Sequence, residues 1–163
     1  MTSGARPLAG PATGSAWRFP QPGEPRPLDA GRLALAALPT SPFWARRYTC
    51  TFLDSCQGIG EGTTATAELL VSELVTNAVR FTGNRGQRNP GRASLISLSL
   101  RQFRDGLLIE VYDAGSNPPV RADTGECAET GRGLMLIGAL SKEWSCVFIP
   151  GGGKLVYCFL ETR

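Results

Sequence analysis

The sequence predicts a single α+β domain, and three observations point there. A long amphipathic helix occupies the middle of the chain, from about residue 63 to 81. Two strand pairs follow it, each closed by a glycine-bearing turn, at Asp105-Gly106 and at Gly151-Gly152-Gly153. The 163 residues and 42% apolar content support one domain with a real core and hardly two.

Residues 1–28 are rich in Gly, Pro, Ala and Ser, with few large apolar groups, and read as a disordered tail before a domain spanning 29–163. Gly31 to Leu38 reads as a short first strand ended by Pro39. Thr40 or Ser41 can cap a helix with Pro42 in its first turn, running over about 42–56. That helix is expected to bury Phe43, Trp44, Tyr48, Phe52 and Leu53 as core. Gln57 to Gly62, with three glycines, breaks the chain before the central helix.

At about 100° per residue, Ala67, Leu70, Val71, Leu74, Val75, Ala78 and Phe81 gather on one face of the central helix. Residues 82–91 then read as a polar loop too long for a tight turn. Strands follow at about 93–103 and 107–113, the first with Ile96, Leu98 and Leu100 alternating against Leu95, Ser97 and Ser99. Residues 116–130 have no apolar periodicity and are expected to be a lid, a binding loop or a disordered segment. Gly131-Arg132-Gly133 opens a helix from Leu134 to Leu140, and strands at about 143–149 and 154–161 close the chain.

Several function classes drop out. No apolar run approaches the roughly 20 residues that span a bilayer. The N-terminus has no continuous apolar stretch of the secretory type. A net charge of +3 with scattered arginines does not make a nucleic-acid surface. With no histidine and five cysteines lacking C-x-x-C spacing, zinc ligation and Ser-His or Cys-His catalysis are not expected. Reduced thiols in a cytoplasmic protein are the default reading.

The polar side of the central helix carries Glu73, Asn77 and Arg80 in one row, since offsets of four and seven residues return to nearly the same angle. A carboxylate can take a proton, an amide oxygen can ligate a hard cation, and a guanidinium can hold a phosphate oxygen. A surface stripe on a core helix is the plainer alternative. Asp113, at a strand end before Gly115, can accept from an exocyclic amine such as that of adenine, or simply hold a turn. Gly131 and Gly133 at a helix start expose N–H groups suited to phosphate, with Arg132 adding a cation between them. The Gly151–Gly153 triplet reads as a plain hairpin turn.

These segments, in this order, resemble the GHKL superfamily of ATP-binding modules found in gyrase and histidine kinases. Within it, the stretch from Glu73 to Arg80, Asp113 with Pro118 and Pro119, and the run from Gly131 to Ile137 look most like the anti-sigma factor serine kinases. The resemblance covers about residues 30–162 and implies a two-layer α/β sandwich with a mixed, mostly antiparallel sheet. It implies ATP (or ADP) and Mg²⁺ as cofactors, with Asn77 as the metal ligand and Glu73 as the general base for a substrate serine. Asp113 would read adenine, with Gly115 beside the base. Gly131 and Gly133 would approach the phosphates, Arg132 would reach the γ-phosphate, and Arg80 and Leu134 join the nucleotide-contacting set.

The implied partners are a sigma factor and an anti-anti-sigma protein of the STAS type, with the chain itself a homodimer contacting neither nucleic acid nor membrane. The sequence departs from the pattern at two positions. Phe81 stands where many relatives carry histidine, which implies one polar contact fewer near the phosphates. Leu155 follows Lys154 where relatives carry threonine, whose hydroxyl helps fix the adenine-reading carboxylate; its loss implies ATP binding weaker by about 1 kcal/mol. No histidine-bearing dimerisation helix and no transducer domain are expected, unlike sensor kinases and gyrase. A serine kinase that doubles as an anti-sigma factor is therefore the leading expectation. A non-catalytic regulator on the same fold is the rival.

Overall fold

The structure, a computed structural model, describes residues 25–86, 94–115 and 132–162. Most of the expected tail, the expected lid and Gly131 lie outside these residues. The elements run β1 (Asp29–Ala36), α1 (Ser41–Ser55), α2 (Glu61–Gly86), β2 (Leu95–Gln102), β3 (Gly106–Asp113), α3 (Arg132–Leu140), β4 (Glu143–Phe148) and β5 (Lys154–Glu161).

The strands form one five-stranded sheet in the order β1-β2-β3-β5-β4. All four pairings are antiparallel, so the parallel component expected of a mixed sheet is not found among the described strands. The two-layer α+β sandwich stands as expected: α2 lies across β2, β3 and β5, with α1 by β1 and α3 by β4. Leu28, the last residue of the expected tail, already joins the sheet by donating its N–H to the Gln102 carbonyl at 2.7 Å.

Alternation decides which side of the sheet is core. Ile96, Leu98 and Leu100 on β2, Leu107, Ile109 and Val111 on β3, and Val156, Cys158 and Leu160 on β5 all point to the helices and are buried. From α2, Ala67, Leu70, Val71, Leu74, Val75 and Ala78 meet them, the face that the helical wheel picks out. Fully burying one such side chain is worth about 1.5–3 kcal/mol. This interlock is what holds α2 rigidly over the sheet.

Three local expectations are corrected. Phe43 and Trp44 are 51% and 58% exposed, packed edge-on against each other 5.2 Å apart. The inward stripe of α1 is instead Ser41, Ala45, Thr49 and Leu53, at four-residue spacing. Small side chains let α1 lie close to α2, and Thr49 satisfies its hydroxyl by donating to the Ala45 carbonyl at 2.8 Å. Thr40 makes no side-chain cap; the Ser41 hydroxyl donates to the Ala36 carbonyl at 2.5 Å and ties the helix start to β1.

The second correction concerns the end of α2, which continues to Gly86 through residues expected to be loop. The third is a one-residue shift in the β2–β3 turn. Phe103 donates its N–H to the Gly106 carbonyl at 2.7 Å, so Arg104 and Asp105 are the central pair. The β4–β5 turn is as expected, with φ of +96°, +120° and +87° at Gly151, Gly152 and Gly153. Three successive left-handed residues are open only to glycine at low cost.

Candidate functional site

β3 ends on Asp113, and the carboxylate folds back over the chain that follows. Its Oδ1 accepts the Gly115 N–H at 2.7 Å, the Lys154 ammonium at 3.0 Å and the Thr82 hydroxyl at 3.3 Å. A Cβ on residue 115 would stand 2.6 Å from Oδ1 and 3.0 Å from the Lys154 Nζ, so only glycine fits there. Asp113 is 1% exposed. A carboxylate so buried is held by its donors, since an unpaired buried charge is costly.

The strongest of those donors was not anticipated. Lys154 opens β5, and the register sets it directly opposite Asp113. Strand alternation then sends its side chain to the core face, where the ammonium is 1% exposed and lies 4.8 Å from the centre of the Phe81 ring. Leu155, next along, pairs with Tyr112 and is only half-buried. The position that faces the carboxylate is therefore Lys154 and not Leu155. Phe81 packs on that cation, at the Asp113 end of α2. The Gly151–Gly153 turn locks the arrangement, with the Tyr112 hydroxyl donating to the Gly152 carbonyl at 3.1 Å.

Thr82 was missed for a different reason. It lies four residues after Ala78 and seven after Val75, on the same core face, and is fully buried. Extending the helical wheel one residue past Phe81 would have found it. Lys154 could be found only by knowing that β5 pairs with β3. Nearby, burial pushes the Cys146 thiol up from its ordinary value, with Lys154 pulling it down and Asp113 raising it.

Towards the N-terminus of α2 stands the other half of the site. Asn77 is 9% exposed, Glu73 is half-buried and Arg80 is exposed. A Cβ on Gly133 would collide with the Glu73 carboxylate, so the start of α3 rests against that side chain. Leu134 is buried in the core, which leaves its backbone as the part able to meet a ligand. Arg132 is the first residue of α3. Glu73 and Thr82 are nine positions apart, about 13 Å along the helix axis at 1.5 Å per residue. The site is thus a track along α2, with Asp113 at one end and the α3 start at the other.

A family model, the histidine kinase-like ATPase domain, matches residues 35–157. The chain belongs to this family. Its members bind ATP, and the matched span runs from β1 to β5, taking in every described site residue. No curated protein matches the sequence closely. The donor set of this histidine kinase-like ATPase domain suits a nucleotide at both ends. A carboxylate and a glycine stand at Asp113 and Gly115, and a carboxylate, an amide and the Gly133-bearing first turn of α3 at the other end. No group of three metal-ligating His, Cys, Asp or Glu side chains occurs among the described residues, so a cation here would share Asn77 with ligand oxygens. Among the described residues no helix is long and apolar enough to cross a membrane.

Proposed function

We propose that this ATP-binding domain is an Mg²⁺-dependent serine protein kinase acting in the cytoplasm as an anti-sigma factor. Its partners would be a sigma factor that it sequesters and a STAS-type anti-anti-sigma protein that it phosphorylates, and it would act as a homodimer. The observation that supports this reading best is Glu73, half-buried, one turn before Asn77 and against Gly133 at the start of α3. Among the described residues no ion pair engages this carboxylate, and a kinase needs a carboxylate to orient a serine hydroxyl and take its proton.

The roles follow from position. Asp113 accepts from the base and Gly115 leaves room for it. Asn77 offers its amide oxygen to the metal, Gly133 and the Leu134 backbone meet the phosphates, and Arg80 and Arg132 supply positive charge. Bound ATP·Mg²⁺ supplies the transferable phosphoryl group. Incubation of the chain with labelled ATP and a cognate STAS-type protein tests the reading. Label on a serine of that protein is expected, and its absence from a chain that binds ATP would leave the rival, a non-catalytic regulator. Lys154 favours that rival, because its ammonium engages the carboxylate assigned to the base.

A further inference from the structure

The sheet has a second face. Residues that alternate with the buried ones point away from α1, α2 and α3, whose core contacts all lie on the other side. On β1 and β2 this outer face carries small side chains, Ala30, Ala34, Ser97 and Ser99. On β3, β5 and β4 it carries Leu108, Tyr112, Leu155, Tyr157, Phe159 and Val147, all half-buried or exposed. One half is therefore hollow and the other raised. Charge divides the same way, with Arg32 and Arg101 on the first half and Glu110 and Glu143 on the second.

We propose that two copies of the chain pack these outer faces together around a two-fold axis running along β3, the middle strand. The inference rests on the homodimer of the reading above and names its interface. Such an axis lays β1 and β2 of one copy over β4 and β5 of the other, so a raised half meets a hollow half twice. An axis across the strands would instead set each strand on its own copy, with large side chains on large and arginine on arginine. Leu95, the one large apolar side chain that β1 and β2 turn outward, is 62% exposed. It stands level with Gly153, so in the dimer it meets a residue without a side chain. Glu110 lies nearest the axis and is already neutralised by Arg101 at 2.7 and 3.1 Å, so no unpaired charge is buried there. Strand spacing and rise give the face a footprint of about 600 Å². Its relief adds accessible area towards the roughly 800 Å² per partner of a standard interface.

Sedimentation of the full chain is expected to show a dimer. Ala34 and Val147 are exposed, lie on the two edge strands and share one row of the sheet. Ala34→Arg alone and Val147→Glu alone should each weaken self-association by about tenfold or more, because each buries an unpaired charge twice. Mixed one to one, the two variants should recover a heterodimer, because the axis sets position 34 of one chain against position 147 of the other. Trp44→Ala, in the exposed aromatic pair of α1, should leave association unchanged. Circular dichroism of each variant separates lost association from lost fold. A dimer that both edge variants leave intact, or that Trp44→Ala dissolves, overturns the inference and leaves the homodimer standing. Edge variants that dissociate but do not recover on mixing overturn the axis and the inference with it. An unaltered chain that stays monomeric overturns homodimer and inference together, a result that needs no variant to fold.

Discussion

The two ends of the α2 track are built on opposite principles. At the Glu73 end, Glu73, Asn77 and Arg80 come from one helix at spacings of four and three, and their exposure rises from Asn77 to Arg80. At the Asp113 end, three elements meet: Thr82 and Phe81 from α2, Asp113 from β3 and Lys154 from β5. The first end draws its side chains from one helix and grades from the buried Asn77 through the half-buried Glu73 to the exposed Arg80. The second is non-local, dry and part of the core. Under the proposed roles, the chemistry would sit where removal is cheap for the fold and the recognition where removal is not.

The largest expected effect probes the first end. Glu73→Gln should cut phosphoryl transfer to a cognate partner by about 10²–10⁴-fold, the range of general-base catalysis, in a single-turnover assay. ATP affinity should hold, and stability should move by no more than about 0.5 kcal/mol, as for a substitution outside the core. Full-rate transfer by the variant would remove Glu73 from the role of base. Asn77→Ala should differ by weakening Mg²⁺·ATP binding itself, which calorimetry with and without Mg²⁺ would read.

Next in size is the structural cost at the second end. Asp113→Ala leaves the Lys154 ammonium buried without its carboxylate, and breaking a buried pair costs about 3–5 kcal/mol. Chemical denaturation should show the loss even without nucleotide. If Asp113→Ala were as stable as Glu73→Gln, the contrast between the two ends would collapse. The double variant Asp113→Ala with Lys154→Met should recover much of the stability, because it removes both charges rather than one.

A smaller effect is read through pH. Burial pushes the Cys158 thiol up from 9.0 to about 12. Between those values the unfolded chain loses the thiol proton and the folded chain keeps it, so the folded state binds more protons. The stability tied to that proton is fully present below pH 9 and is lost as pH rises towards 12, by about 1.4 kcal/mol per pH unit at most. Cys158→Ala should flatten that part of the profile relative to the unaltered chain. The smallest effect is Thr82→Val, which removes one hydroxyl from Asp113 and should cost about 1 kcal/mol. A greater loss would show that the 3.3 Å bond is more than an accessory to the Lys154 pair.

By itself the sequence determined what depends on near neighbours. The core face of α2, the alternation of β2, the hairpin at Gly151–Gly153 and the row of Glu73, Asn77 and Arg80 follow from helical and strand periods and from glycine's access to positive φ. Asp113 with Gly115 was legible for the same reason, since the carboxylate bonds the amide two residues on. Periodicity failed where packing between elements chose among faces. Phe43 and Trp44 looked like core until α1 docked on its small residues, and 82–86 looked like loop until Thr82 was held by Asp113. Only the tertiary structure decided that Lys154 faces Asp113, because their 41-residue separation is closed by the pairing of β5 with β3. Strand register is a global solution to burying one face of a sheet, so a charge pair set by it is invisible to any local pattern.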